Sequence, residues 1–159
     1  VLTDGSLWYG PEGEELKGFH TRDGLGIKLL LQEGIEVVVI SGRRSRALER
    51  RLEDLGVREA VLGCEAKGER FGALLAARGI APEDAAFVGD DLPDLLAMRL
   101  VGLPVAVRDA DARVRAEALW VTDAPGGRGA VREVADALLA ARGRLDAAAD
   151  AYLARVGGG

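Results

Sequence analysis

The segment Ala85-Ala86-Phe87-Val88-Gly89-Asp90-Asp91-Leu92-Pro93-Asp94 joins an apolar run to a loop that carries three carboxylates. The run from Ala85 to Gly89 predicts a strand buried on both faces. Carboxylates this close together repel one another unless a cation or a proton lies among them. Ligands bind at the carboxyl ends of the strands in an open parallel sheet, and magnesium prefers oxygen ligands. We therefore interpret Asp90 and Asp91 as metal ligands; the alternative is that Asp94 caps the next helix and Asp91 is solvated.

Strands and helices alternate along the chain, which predicts an α/β fold: a Rossmann-like parallel sheet with helices on both faces, joined by right-handed crossovers. The predicted strands are 35–41, 60–63, 85–89, 104–107 and 119–122, and the predicted helices are 23–32, 45–55, 67–78, 94–101, 110–118 and 130–142. The 159 residues predict a single domain. Its tail, about residues 143–159, is Ala-rich and predicts a helix that frays.

A β-hairpin insertion is predicted near the start, over about residues 6–20. Leu7 to Tyr9 and Glu15 to Phe19 flank the turn signal Gly10-Pro11-Glu12-Gly13. An isolated hairpin is marginal in water. The aromatic side chains of Trp8, Tyr9 and Phe19 therefore need a surface, which is either the protein's own sheet or a second subunit.

The composition excludes several classes of protein. The net charge of −5, with no basic run, argues against nucleic acid as a partner. Cys64 is the single cysteine, which excludes an internal disulfide and fits the reducing cytoplasm. No apolar run approaches the roughly 18 residues of a membrane span, and no signal-peptide pattern is visible.

Two further strand ends carry candidate site residues. Ser41-Gly42-Arg43 follows an apolar strand, so a hydroxyl, a backbone N–H and a guanidinium form an anion site; the alternative is that Ser41 only caps the next helix. Lys67 opens a helix after another strand, on the side where Ser41 and Asp90 should lie. Its charge suits a phosphate or a carboxylate, and the alternative is a solvated lysine.

Two loops add candidate substrate-binding residues. His20 and Arg22 close the hairpin and suit an anionic substrate, while Asp23 beside them is either a pocket residue or a helix N-cap. His20 is the only histidine, so it cannot form a histidine metal cluster. The segment Gly126-Gly127-Arg128-Gly129 carries a cation on a flexible loop; the alternative is a plain linker.

In this order, the motifs resemble those of the haloacid dehalogenase superfamily of phosphotransferases, in its capless branch with a hairpin insertion. The resemblance covers nearly the whole chain. The matching stretches are 1–5, 13–17, 19–26, 41–43, Lys67, 89–91 and 126–133.

The resemblance implies a magnesium-dependent phosphatase that acts through an aspartyl-phosphate on a 2-keto-3-deoxy sugar acid phosphate. Ser41 and Lys67 would be catalytic, contacting the phosphoryl group, and Asp90 and Asp91 would bind magnesium. The implied substrate-binding residues are His20, Arg22, Asp23, Gly42, Arg43 and Arg128. Members of this branch form tetramers in which the hairpins build a central barrel, so a homotetramer is expected, with no nucleic acid and no membrane as partner.

The resemblance also concerns the start of the chain. The family pattern Asp-x-Asp-Gly-Val-Leu-Thr-Asp-Gly aligns its Val with Val1, which places the nucleophile and the acid/base aspartate ahead of Val1. Asp4 matches the later aspartate and is expected to be structural. The central first strand of the sheet is accordingly expected to be truncated, which would leave ladder groups of its neighbours unpaired.

Three alternatives stay open at this point. The first concerns the substrate acid, which has either eight or nine carbons. The second is that the chain is a non-catalytic, phosphatase-like oligomerisation module of a sugar-nucleotide synthetase, which would explain the absence of the two aspartates. The third is a receiver-type signalling domain, which also uses aspartate, lysine and magnesium on an α/β sheet but lacks the hairpin and the Gly-Gly-Arg-Gly loop.

Overall fold

A computed structural model describes residues 1–158, apart from the side chains of Glu14 and Glu15. Its strands are β1 (Trp8–Gly10), β2 (Gly13–Leu16), β3 (Val38–Ser41), β4 (Glu59–Leu62), β5 (Ala86–Gly89), β6 (Leu103–Ala106) and β7 (Trp120–Val121). Its helices are α1 (Thr21–Gln32), α2 (Arg46–Leu55), α3 (Lys67–Arg78), α4 (Leu95–Met98), α5 (Ala112–Glu117), α6 (Ala130–Ala141) and α7 (Leu145–Gly157). Short 3-10 turns cover Pro82–Asp84 and Leu92–Asp94. The predicted α/β class is confirmed.

The parallel strands form two separate ladders. β3 pairs with β4, and Val38 lies opposite Glu59. β5, β6 and β7 form the second ladder in that order, and Ala86 lies opposite Leu103. Within residues 1–158, β3 and β5 are therefore each hydrogen-bonded to a neighbour along one edge only.

A deep groove of about 1020 Å³ lies between β3 and β5. Both strands contribute to its wall, and the apolar residues of β3 and the first three residues of β5 are only half-buried. Strands of a parallel α/β sheet are ordinarily buried on both faces. The split sheet and the groove agree with the expectation of a truncated central strand.

Helices cover both faces of the strands, as predicted. On one face, α1, α2 and α6 pack around Val37 and Val39, and α7 joins them through the fully buried Ala148. On the other face, α3 and α4 pack against Ile40 and Phe87. Val39 and Ile40 lie on opposite faces because side chains alternate along a strand.

Element boundaries differ from the predictions where glycine geometry intervenes. β3 begins at Val38 rather than at residue 35, because Gly34 ends α1 with φ +75° and Ile35 N donates to Leu30 O at 2.9 Å. The second hairpin strand is Gly13–Leu16, since the pair Gly10–Gly13 starts the ladder immediately after a two-residue turn. Residues 17–19, predicted as strand, lie outside it.

The hairpin and the tail also differ from expectation. Trp8 and Tyr9 are 62% and 64% exposed, so packing on their own sheet is the wrong alternative for these two side chains. Phe19 does pack within the chain, against the cluster formed by α1 and α2. The tail is a regular helix over Leu145–Gly157 rather than a frayed one. No helix among residues 1–158 has the length and apolar character to cross a membrane.

Asp23 ties α1 to α6. The helix α1 begins at Thr21, so the predicted N-cap role of Asp23 is wrong. Its side chain is instead 1% exposed, and its two oxygens accept from the backbone nitrogens of Gly129 and Arg132 at 3.1 and 2.9 Å. The carboxylate thus satisfies N–H groups at the beginning of α6 that have no partner within that helix.

We expect Asp23→Asn to lower the free energy of unfolding by about 1–3 kcal/mol, because the amide can offer only one acceptor to two backbone donors. Urea unfolding followed by circular dichroism measures the change. Asp150→Asn on the exposed part of α7 is the matched control and should change stability by less than about 0.5 kcal/mol. Equal stability of the two variants would contradict a capping role for Asp23.

Candidate active site

The predicted site residues meet at one end of the groove. Ser41 ends β3, Lys67 begins α3 after β4, and Asp90 follows β5. All three line the same groove. The carboxyl ends of parallel strands share one edge of a sheet, so residues far apart in sequence converge there.

Ser41 faces the groove and shapes the turn that follows it. Its Oγ accepts from the backbone nitrogen of Arg43 at 3.1 Å. The cap alternative is wrong, because α2 begins at Arg46 and its N-cap position is Ser45. Gly42 and Arg43 also line the groove, and the Arg43 guanidinium donates to the Tyr9 hydroxyl at 3.3 Å. The hairpin therefore reaches the mouth of the groove.

Lys67 is held by a buried ion pair. Its Nζ lies 2.6 Å from Oδ1 of Asp94, and the two side chains are 14% and 4% exposed. The solvated alternative for Lys67 is wrong. The ion pair fixes an ammonium group in the wall of the groove, close to the loop that carries Asp90.

Asp94 also sets the conformation of that loop. Its Oδ2 accepts from the backbone nitrogens of Asp90 and Asp91 at 2.9 and 3.3 Å. Asp94 makes no side-chain cap hydrogen bond at the start of α4, but its contact with Asp91 N completes a capping box around the preceding 3-10 turn, whose N-cap is Asp91. Gly89 is required at this turn, because a Cβ would lie 2.8 Å from the Asp94 Cβ and 2.7 Å from the Met98 sulfur.

Asp90 points along the groove toward the first residue of the chain. Its Oδ2 lies 2.5 Å from the Val1 nitrogen. Burial raises the pKa of Asp90, but the hydrogen bonds and positive charge around its carboxylate, Lys67 included, outweigh burial and hold that pKa below its ordinary value. Asp90 is thus an ionised carboxylate, which is the form that binds a cation.

Asp90 and Asp91 are the two carboxylates of this loop that could hold part of a magnesium site. Asp91 is exposed, and its Oδ1 accepts from Leu92 N at 2.8 Å. No group of three or more acidic, His or Cys side chains is placed to hold a metal ion among residues 1–158. Magnesium uses one or two carboxylates and keeps several waters, so Asp90, with Asp91 beside it, fits as a partial ligand set.

The loop Gly126–Gly129 lies directly on the first residues of the chain. Gly127 N donates to Val1 O at 2.7 Å. Gly127 has φ +67°, and a Cβ there would lie 2.3 Å from the Thr3 carbonyl carbon, so only glycine fits. The plain-linker alternative for this loop is wrong.

Two acidic residues that position this loop had no predicted role. Asp109 Oδ1 accepts from Gly126 N at 2.7 Å. Glu133 accepts from Asp123 N and Ala124 N, each at 2.9 Å. An acidic residue in the first turn of a helix after a glycine-rich loop is the sequence signal that points to Glu133.

Four predicted substrate-binding residues do not line the groove in this chain: His20, Arg22, Asp23 and Arg128. The Arg128 guanidinium is exposed and lies 3.6 Å from Asp4. Asp4 Oδ1 accepts from Ser6 N at 3.0 Å, which agrees with the structural role expected for Asp4. The substrate contacts of the four residues stay a prediction.

Comparison with known proteins defines the class. The family model "haloacid dehalogenase-like hydrolase" matches residues 22–102, so the chain belongs to the haloacid dehalogenase-like hydrolases. This membership excludes the receiver-type alternative.

Within that class, the relatives share one name. The chain is 49% identical over 148 residues to the 3-deoxy-D-manno-octulosonate 8-phosphate phosphatase KdsC of Escherichia coli (strain K12), which covers 93% of this chain and 79% of that protein. It is 45% identical to the KdsC of Yersinia pestis, and that match again covers 93% of this chain and 79% of the relative.

Solved structures agree with this similarity. The crystal structure of 3-deoxy-D-manno-octulosonate 8-phosphate phosphatase from Moraxella catarrhalis contains magnesium, phosphate and a KDO molecule. It matches with a TM-score of 0.92 at 38% identity, over 96% of this chain and 87% of that chain. The cobalt-bound enzyme from Haemophilus influenzae matches with a TM-score of 0.88 at 43% identity, over 91% and 85%.

We expect Asp94→Asn to lower the free energy of unfolding by about 3–5 kcal/mol, because it leaves the Lys67 ammonium buried without a charged partner. Chemical denaturation provides the measurement. The exposed pair Arg50–Asp54 on α2 offers the control, since Asp54→Asn should cost no more than about 0.5 kcal/mol. A small effect for Asp94→Asn would show that the ion pair is dispensable.

Proposed function

We propose that this chain is a magnesium-dependent phosphatase that hydrolyses 3-deoxy-D-manno-octulosonate 8-phosphate. The observation that carries the proposal is the convergence of Ser41, Lys67 and Asp90 on one groove at the carboxyl ends of the strands. Together, the hydroxyl offers a hydrogen-bond donor to a phosphate, the ammonium offers a positive charge, and the carboxylate offers a metal-binding oxygen. The name shared by the relatives and the molecules bound in the Moraxella catarrhalis structure support the substrate and the metal.

Each of the three residues has a distinct task. The Ser41 hydroxyl accepts from Arg43 N and so keeps its proton to donate to a phosphoryl oxygen. Lys67, oriented by Asp94, balances the negative charge of the phosphoryl group. Asp90, with Asp91 beside it, holds magnesium, which when bound neutralises charge between phosphate and nucleophile.

The proposed nucleophile belongs to an Asp-x-Asp-Gly segment directly ahead of Val1. The 2.5 Å between Val1 N and Asp90 Oδ2 would bring the end of such a segment beside Asp90. The first aspartate attacks phosphorus, and the bond to the sugar oxygen breaks while the second aspartate protonates that oxygen. Water, deprotonated by the second aspartate, then releases inorganic phosphate from the aspartyl-phosphate.

Gly42, Arg43 and Arg128 are proposed to bind the sugar acid. Gly42 and Arg43 lie at the mouth of the groove. Arg128 would exchange its exposed contact with Asp4 for the substrate carboxylate, which a guanidinium binds with two donors.

We also propose that the reaction takes place in the cytoplasm, where the free cysteine, Cys64, would stay reduced.

Neither open alternative is favoured. The relatives and solved structures reported above that carry a substrate in their names carry the eight-carbon acid. A non-catalytic module would have no use for the Ser41 hydroxyl and the Asp90 carboxylate in the lining of one groove, although both are present.

We expect the chain extended by Asp-x-Asp-Gly ahead of Val1 to release phosphate from the eight-carbon substrate faster than from the nine-carbon one, and only with magnesium. In that extended protein, Asp90→Asn should lower kcat by about 100-fold or more, since it removes a metal-binding oxygen. A phosphate-release assay with and without a chelator measures both effects.

Asp146→Asn on exposed α7 serves as the control and should leave kcat unchanged. Absence of phosphate release from every sugar acid phosphate by the extended protein would overturn the enzymatic proposal. Full activity of the Asp90→Asn variant would instead show that Asp90 is not a metal ligand, while the proposed reaction would still stand.

We further propose that the hairpin forms the interface of a homotetramer. Trp8 and Leu16 lie opposite each other in the ladder, and both are more than 60% exposed. Adjacent apolar side chains on a two-stranded hairpin are stabilised by burial against another surface. No second surface of this chain covers them within residues 1–158.

The double variant Trp8→Ser and Leu16→Ser should sediment as a monomer where the unchanged chain sediments as a tetramer. Tyr9 is left in place because its hydroxyl accepts from Arg43 at the groove. Leu153→Ser, at an equally exposed site on α7, is the control and should leave the tetramer intact. A tetramer that survives the double change would place the interface elsewhere.

A further inference from the structure

The loop that carries Arg128 is held along its whole backbone. From Asp123 to Gly129, every residue that has a backbone N–H donates it to a partner within the chain. The partners are the carboxylates of Asp23, Asp109 and Glu133 and the carbonyl oxygens of Val1 and Pro125. The exposed guanidinium of Arg128 therefore projects from a backbone that neighbouring residues keep in one conformation.

Residues 125–128 form a tight turn within this loop. Arg128 N donates to Pro125 O at 3.2 Å, which closes the turn. The two central residues are Gly126 and Gly127, and Gly127 has φ +67°, as the third position of a type II turn requires. Glycine adopts either sign of φ readily, so two central glycines allow several turn types. Contacts from outside the turn must therefore select its conformation.

Asp109 supplies such a contact at the first central glycine. The bond that closes a turn leaves the two central N–H groups without a partner inside it. Asp109 Oδ1 accepts from Gly126 N at 2.7 Å, and Gly126 is buried. Without that carboxylate the buried N–H would lose its acceptor, and a change of turn conformation that exposes it to water would relieve the penalty. Such a change alters the direction in which Arg128 leaves the loop.

The segment that contains Asp109 also contacts the loop that carries Asp90. Asp111 N donates to Asp90 O at 2.9 Å. Asp109, two residues earlier, lines the groove and accepts from Gly126. Asp109 therefore ties the turn that carries Arg128 to the strand end that carries Asp90.

We propose that Asp109 is a positioning residue for substrate recognition. By accepting from Gly126 N, it sets the direction from which Arg128 reaches the carboxylate of the sugar acid phosphate. This role rests on the proposed function, and in particular on the proposed contact between Arg128 and that carboxylate. Asp109 would thus favour substrates that have a carboxylate group over simple phosphate esters, although it acts only through the turn.

Two substrates separate this role from general damage to the active site. In the extended protein, Asp109→Ala should raise KM for the eight-carbon sugar acid phosphate by about tenfold, because a misdirected guanidinium binds the carboxylate poorly. Its kcat should change by less than about twofold, since the groups around phosphorus stay in place. For p-nitrophenyl phosphate, which has no carboxylate, both constants should stay within about twofold of those of the unchanged protein. Steady-state phosphate release measures all of these constants.

A double-mutant cycle tests whether Asp109 acts through Arg128. Arg128→Ala alone should also raise KM for the sugar acid phosphate, because it removes the guanidinium. Adding Asp109→Ala to that variant should raise KM by less than about a further twofold, since the turn then has no cation to direct. Effects that multiply would show that Asp109 acts independently of Arg128 and would overturn the proposal.

Two further variants serve as controls. Asp109→Asn keeps the Oδ1 acceptor and removes the negative charge, so KM should stay within about twofold of the unchanged value. An equal rise of KM in Asp109→Asn and Asp109→Ala would assign the effect to the charge of Asp109 and overturn the role of the hydrogen bond. Asp123→Ala, at an exposed position of the same loop, removes a carboxylate elsewhere and should change neither constant.

The effect on the turn can be measured without any activity. In the chain of 159 residues, amide hydrogen exchange at Gly126 should become at least about tenfold faster in Asp109→Ala and stay slow in Asp109→Asn. Exchange at Gly129, whose N–H donates to Asp23, should be unchanged. Equal exchange at Gly126 in the unchanged chain and both variants would show that Asp109 does not hold the turn.

The kinetic outcomes distinguish this proposal from the proposed function. Absence of phosphate release from the unchanged extended protein would overturn both. Normal release with an unchanged KM in Asp109→Ala, or with equal losses for the two substrates, would overturn the role of Asp109 alone. Asp109 is an exposed residue, so its replacement leaves the core intact.

Discussion

The Lys67–Asp94 ion pair joins the two ladders of the sheet. Lys67 belongs to the helix that follows β4, and Asp94 belongs to the turn that follows β5. Both groups are withdrawn from water, so separating them would leave two poorly solvated charges. The same carboxylate accepts from the backbone of Asp90 and Asp91. Cohesion of the fold and the position of the loop that carries Asp90 and Asp91 therefore depend on the Asp94 side chain.

Carboxylates that accept backbone N–H groups recur around the groove. Asp94 fixes the loop after β5, Asp23 fixes the start of α6, and Asp109 and Glu133 fix the loop between β7 and α6. These loops have no regular ladder or helix of their own, so side chains must supply their partners. These hydrogen bonds fix the shape of the loops at the groove end, which is the preorganisation that phosphoryl-transfer sites require.

Much of this arrangement could be predicted from the sequence, because it depends on local patterns. Apolar runs predicted the positions of the strands. Because sites form at the carboxyl ends of parallel strands, the sequence also predicted that Ser41, Lys67 and Asp90 lie close together. The hydrogen-bond partners of Asp23 could not be predicted, because Arg132 lies 109 residues away in the sequence. No local sequence pattern indicates which distant backbone N–H will donate to a given carboxylate. The exposure of Trp8 likewise depends on where the hairpin projects, which is a tertiary property. Strand β3 was predicted too long because Gly34 and Ile35 complete the helix before it.

The contact between Gly127 and the first residues has a thermodynamic consequence. Gly127 N donates to Val1 O, and the backbones approach so closely that neither segment can shift alone. Arg128 follows on the same loop, while Val1 lies against Asp90 at the other end of the contact. The anion site at Arg128 and the cation site at Asp90 that we propose share this contact, so binding at one would be coupled to binding at the other, and such coupling is reciprocal. An anion that orders the loop at Arg128 would tighten cation binding at Asp90, and the cation would tighten anion binding by the same factor.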